Sequence, residues 1–213
     1  MSRRASGLRR PGPGGLRLRP QADADHAFLL ALYEDLRWPE LASTGWPEVA
    51  KRAFLADQHR LREFHYRTQF PNAAYDIVMV GNHAIGRLCV DRRVDEARIV
   101  DIALLSVERG AGVGGRLITG VIDEAARDGL AVSLSVAIDN PRALALYHRL
   151  GFLPTPSSQG IYQTLRRAPQ AQVEGATQSP SSHGAPSRSA RTSDGPCEES
   201  AIKKDQSIGD AHR

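Results

Sequence analysis

Apolar positions alternate with polar ones, or recur at helical spacing, from about residue 16 to residue 167 and hardly at all outside that span. LRLRP (16–20) alternates as a short strand. In DHAFLLALYEDLRW (25–38), Phe28, Leu29, Leu32 and Leu36 recur at helical spacing, and PELASTG reads as a loop. The stretch 46–70 opens with Pro47, suited to a first helical turn, and Pro71 marks its stop. AYDIVMV (74–80), the turn GNH and AIGRLCVDR (84–92) predict a β-hairpin, and ARIVDIALLSV (97–107) a third long strand. A helix follows a glycine-rich loop and ends at Gly129. LAVSLSVAI (130–138) is a strand, NPRALALYHRLGF a helix ending at Gly151, and Leu153 with 161–167 supplies the last one or two strands. The order predicts an α/β (α+β) domain: a mixed sheet with helices on its faces, antiparallel at the hairpins and parallel at one strand–helix–strand unit.

Composition confirms where the pattern stops. Residues 1–15 hold six glycines and prolines but only one sizeable apolar side chain besides Met1, Leu8, and 168–213 are polar and Pro/Gly-rich. Neither segment can offset the entropy of ordering, so both are expected to be disordered, with 16–167 as the folded domain. The net charge of +4 hides an asymmetry, because residues 1–19 carry six arginines and no acid, which leaves about −2 for the rest. The basic character therefore belongs to an arm able to touch polyanions non-specifically, and a nucleic-acid-binding domain is not indicated. No apolar run reaches a membrane span, and no signal-peptide core is present. The cysteines, Cys89 and Cys197, form no disulfide framework and no metal-ligand spacing, which fits a reducing cytoplasm and no metal.

The chemistry concentrates in ERGAGVGGRL (108–117), with four glycines in ten residues. Gly110-x-Gly112-x-x-Gly115 satisfies the dinucleotide fingerprint by letters, but the next strand opens at 130 and the first acid beyond it is Asp139, so the required context is missing. A P-loop fails because Arg116-Leu117 replaces the lysine and hydroxyl that hold phosphates and Mg²⁺. A strand, then Arg109-x-x-Gly112-x-Gly114, then a helix suits a diphosphate, since unpaired amides at a helix start and close glycine backbone can wrap one. A turn that merely packs the helix on the strand would carry the same letters.

A second motif stands about 25 residues on: Val136, Asn140, Ala143, Leu146-Tyr147 and Gly151-Phe152. Together the two resemble motifs A and B of the GCN5-related N-acetyltransferase (GNAT) superfamily, over nearly all of 16–167. The resemblance implies a GNAT fold, a mostly antiparallel sheet of six to seven strands with about four helices and a splayed parallel pair that takes the pantetheine arm of acetyl-CoA. It further implies that Leu104 pairs its backbone with pantetheine and that Arg109, Gly110, Ala111, Gly112, Val113, Gly114 and Gly115 hold the diphosphate. By the same resemblance Asn140 and Ala143 would line the pantetheine path, and Tyr147 would protonate the departing thiolate. The implied reaction is direct attack of an amine acceptor on the thioester; the alternative is a binding domain without catalysis.

Ser106 departs from a common proline of the family. Arg98 stands where many relatives have a glutamate base. Asp101 is the nearest carboxylate, on the wrong side of the strand unless a bulge re-aims it; Glu96 and His83 lie at turns. His65 and Tyr66 on the second long helix are candidate acceptor contacts, and Trp38 and Trp46 bracket the loop before it. The family often forms homodimers, but no segment here marks an interface.

Overall fold

The structure is a computed structural model that describes residues 15–156 and 160–169. The expectations for the arm, apart from Gly15, and for the tail beyond 169 lie outside the described residues, as does Cys197. Seven strands form one sheet: β1 (Leu16–Pro20), β2 (Ala74–Val80), β3 (His83–Arg92), β4 (Glu96–Leu104), β5 (Ala131–Ala137), β6 (Leu153–Pro154) and β7 (Tyr162–Arg167). Their spatial order is β1-β2-β3-β4-β5-β7-β6, and every neighbouring pair is antiparallel except β4 and β5. The helices are α1 (His26–Arg37), α2 (Glu48–Gln69), α3 (Val113–Arg127) and α4 (Pro141–Arg149).

Two faces of the sheet carry different cores. On one, Leu117, Ile118, Val121 and Ile122 of α3 pack with Ile99, Leu134, Phe152 and Leu165, all nearly inaccessible to water. The helical spacing of the α3 residues presents one apolar stripe to the strands. On the other face, Leu29 of α1 packs on Ile77 and Met79. There α2 offers Leu55 and His59, both buried, followed by polar residues rather than more hydrocarbon.

Two local features differ from the periodicity. The strand expected to reach 107 ends at Leu104, and Ser106–Glu108 is a 3-10 turn. The Ser106 amide and hydroxyl each donate to Asp35 of α1 (both 2.7 Å), which bends the chain away from the sheet and leaves Val107 exposed. The segment read as a loop, 39–45, is mostly a 3-10 stretch (Trp38–Thr44), so α2 starts at Glu48 rather than 46.

The parallel pair is short. β4 and β5 are in register only from Glu96 opposite Ala131 to Ile99 opposite Leu134. Beyond that, β4 stays with β3 and β5 with β7, so the two strands diverge. The divergence coincides with a β-bulge: Ile99 faces Val90 and Asp101 faces Cys89, leaving Val100 without an opposite residue. One extra residue changes the facing of all that follow. Ala97 and Ile99 point into the α3 core, whereas Asp101 and Ala103 point toward α1 and α2.

Candidate functional site

The divergence opens a cleft of about 230 Å³. Its walls are Val100, Asp101 and Ile102 from β4, Ser135 and Ala137 from β5, Asn140, Ala143 and Tyr147 from α4, Tyr66 from α2, and Tyr162. Past Ile99 the β5-facing edge of β4 has no strand beside it, so alternate backbone groups there face the gap.

Beyond the strand, the glycine loop turns into α3. Gly110 (φ 93°) and Gly112 (φ 78°) both occupy the left-handed region that side chains disfavour. Gly112 is the N-cap of α3, and the first helical bond runs from Arg116 N–H to its carbonyl. The amides of Val113, Gly114 and Gly115 thus have no partner within the helix, and they sit at the positive end of its dipole. Gly110, Ala111 and Gly112 are exposed, while Val113 is buried as an anchor. Arg109 turns its side chain inward: Nε donates to the Leu104 carbonyl (2.9 Å) and Nη2 pairs with Asp35 (3.0 Å). That strap ties the loop to α1 and engages the Leu104 carbonyl, while the Leu104 side chain joins the α3 core.

Asn140 begins α4 and lines the cleft, and its side-chain oxygen accepts from Ala143 N–H (3.1 Å), so the amide NH₂ is not used by the cap. Seven residues on, two helical turns, Tyr147 lies on the same wall. It is 8% exposed and packs edge-on to Phe152, with 5.9 Å between ring centroids. Burial first, and then the Asp101 charge, push its phenol above the ordinary range. Among the described residues its hydroxyl makes no hydrogen bond.

Asp101 reaches the cleft because of the bulge, but not as a free carboxylate. Arg62 Nη2 donates to it at 2.5 Å, and Arg87 Nε stands 3.5 Å away. Arg87, 2% exposed in mid-strand, also pairs with Glu63 of α2. Arg62 lies 5.1 Å from the ring centroids of both Tyr33 and Tyr66. Of the two α2 candidates, Tyr66 lines the cleft and His65 faces solvent beside it. Trp38 lies under the Arg52 guanidinium (5.0 Å) and Trp46 against Phe54 (5.5 Å), neither of them in the cleft wall; Glu96 and His83 also lie outside it.

Sequence reasoning missed Arg62, Glu63 and Arg87. The available signal was the stripe Leu55, His59, Arg62, Tyr66, which keeps core spacing while turning polar toward one end of α2. Among the described residues no group of three His, Cys, Asp or Glu side chains could hold a metal ion, and no helix is long and apolar enough to cross a membrane.

Several solved structures share this architecture. PaiA N-acetyltransferase from Thermoplasma acidophilum, in complex with coenzyme A, superposes with a TM-score of 0.54 at 13% identity, covering 72% of this chain and 98% of that one. A histone acetyltransferase HPA2 and related acetyltransferase from Corynebacterium glutamicum gives 0.54 at 20% identity, covering 75% and 99%. An acetyltransferase from Thermus thermophilus gives 0.53 at 17%, covering 72% and 96%. These likenesses establish the fold; no curated protein matches the chain. The model of the acetyltransferase (GNAT) family matches residues 23–152, from the turn just before α1 to Phe152 behind Tyr147, and the chain belongs to that family.

Proposed function

We propose that this protein is an N-acetyltransferase that moves the acetyl group of acetyl-CoA to a primary amine by direct attack on the thioester. The observation that carries this reading is the conjunction of unpaired helix-start amides at one end of a strand divergence with an unbonded phenol on the wall of the same divergence. The residues present fit acetyl-CoA. The amides of Val113, Gly114 and Gly115 suit a diphosphate, and no Cβ at Gly110 or Gly112 stands in its way. The free edge of β4 and the Asn140 amide suit the peptide-like pantetheine chain.

In this proposal the gap-facing N–H groups of β4 stabilise charge developing on the thioester oxygen. Tyr147 donates its proton to the departing thiolate, and burial keeps that proton in place at neutral pH. The attacking amine must be neutral. Asp101 is the sole carboxylate of the described cleft wall, and two guanidiniums hold it. The amine therefore loses its proton to solvent water in the open cleft, and Asp101 shapes the acceptor end instead of serving as base.

That same engagement of Asp101 is what favours the second reading, a domain that binds acyl-CoA without turnover. Calorimetry with acetyl-CoA, followed by release of free thiol across a panel of amines, separates the two. Binding with thiol release that depends on the amine is expected. Binding without release for any amine would leave the second reading, and no heat at all would remove both.

A further inference from the structure

We propose that the acceptor carries an oxyanion, a carboxylate or a phosphate, close to its amine, and that Arg98 receives it. This rests on the transferase reading.

The sheet has two sides, and the donor site occupies one. The glycine loop, α3 and α4 stand on the face of Ile99, Leu134 and Val136. An acceptor must come through the divergence from the other face, where Tyr66 and Asp101 stand. Arg98 is on that face: it alternates with Ala97 and Ile99, which are buried under α3. It lies one residue before the last paired position of β4, so its guanidinium reaches forward to the vertex. There Nη2 donates to the Ser135 hydroxyl at 3.0 Å, and Ser135 lines the cleft just past the vertex. Thr164 Oγ1 of β7 stands 3.4 Å from the Ser135 oxygen, so a guanidinium and two hydroxyls form a row of donors.

Charge decides what the row attracts. Arg62 is paired with Asp101, and Arg87 with Glu63. Glu96, the acid nearest Arg98 in sequence on its own strand, faces Arg93 at 3.7 Å. No ion pair reaches Arg98 among the described residues, and its only hydrogen bond there is to the neutral Ser135 hydroxyl. Its partial burial pulls its pKa below the ordinary value, against the more distant charges of Glu96 and Asp91, which favour the cation. A bound carboxylate or phosphate supplies the direct ion pair that Arg98 lacks among the described residues, and a guanidinium takes either with paired donors. A polyamine would bring a second cation toward Arg98 and gain nothing there.

The test compares amines that differ only in the charged group, at saturating acetyl-CoA and corrected for the neutral-amine fraction. One arm sets alanine against alaninamide, a second sets 2-aminoethyl phosphate against ethanolamine, and 1,4-diaminobutane is the cationic control. The anionic member of at least one arm is expected to lead by about ten- to hundredfold in kcat/KM, the range of a charge-assisted hydrogen bond. The leading arm identifies carboxylate or phosphate. Arg98→Gln removes that lead, Arg98→Lys retains part of it, and Arg98→Glu moves the preference toward the diamine, all with acetyl-CoA affinity by calorimetry unchanged. Equal turnover within both pairs, or a lead that survives Arg98→Gln, overturns this inference and leaves the transferase standing. No thiol release with any amine overturns the transferase reading and this inference with it.

Discussion

The hydroxyl of Tyr147 and the carboxylate of Asp101 share one cleft wall but stand in opposite conditions, the first unbonded and the second held by Arg62 and Arg87. Tyr147→Phe removes the proton donor and nothing else from the wall. It should lower kcat by about a hundredfold or more while the acetyl-CoA dissociation constant stays put, which stopped-flow thiol release and calorimetry would read. Because burial raises the phenol above its ordinary value, the acid stays protonated through neutral and mildly alkaline pH. Activity should therefore climb with pH as the acceptor amine deprotonates, with no loss from Tyr147 until beyond about pH 10. Asp101→Asn should behave otherwise. If solvent takes the amine proton, kcat falls by well under the roughly hundredfold expected for loss of a general base. Stability falls by about 1–3 kcal/mol, because Arg62 loses its charged partner; urea midpoints and kcat measured on the same variant separate the two effects.

Elements follow the local chemistry of their ends. α3 begins at Gly112, and α4 begins at Asn140-Pro141, an N-cap followed by the residue best suited to a first turn. These were legible because each motif is contiguous: the residues that need special backbone or caps are the ones that also make the site. The end of β4 was not legible. Leu105 and Val107 continue the apolar alternation, and only the bond from Ser106 to Asp35, 71 residues earlier in the chain, ends the strand. Nor was the pairing of Arg87 with Glu63 and of Arg62 with Asp101, which depends on how α2 lies across β3 and β4. Gly86 illustrates the same dependence on tertiary structure. It sits in mid-strand opposite Leu104, where an added Cβ would lie 2.3 Å from the Ala103 carbonyl oxygen and 2.6 Å from a Leu104 methyl. Gly86→Ala should cost about 1–3 kcal/mol by overpacking, since strand backbone has to move. A chevron or urea titration would show it, with reduced acetyl-CoA affinity if the splayed end of β4 shifts.

For the molecule as a whole, attachment of the α1–α2 layer to the sheet depends on pH through His59. It is 2% exposed, with its ring 5.5 Å from that of Tyr33; burial pushes its pKa below the ordinary histidine value against the opposing pull of Glu63 at 3.9 Å. A histidine with a depressed folded pKa binds fewer protons folded than unfolded. Its share of stability is therefore complete above the unfolded value near pH 6.5 and declines as pH falls below it. Urea midpoints should drop from pH 7 to pH 5 in the parent, and the drop should be smaller in His59→Gln. Equal slopes in both proteins would show that other groups govern that range.

The unpaired Val100 makes β4 two half-strands out of phase by one residue, the odd-numbered positions of the first (Ala97, Ile99) facing α3 and those of the second (Asp101, Ala103) facing α1 and α2. Any side chain of similar bulk can occupy that position, yet the position itself has to exist. A deletion there would leave Ile99 and Asp101 as successive residues opposite Val90 and Cys89, each still on its present face, and would remove the kink at which β4 turns away from β5, so the cleft rather than the core depends on the extra residue.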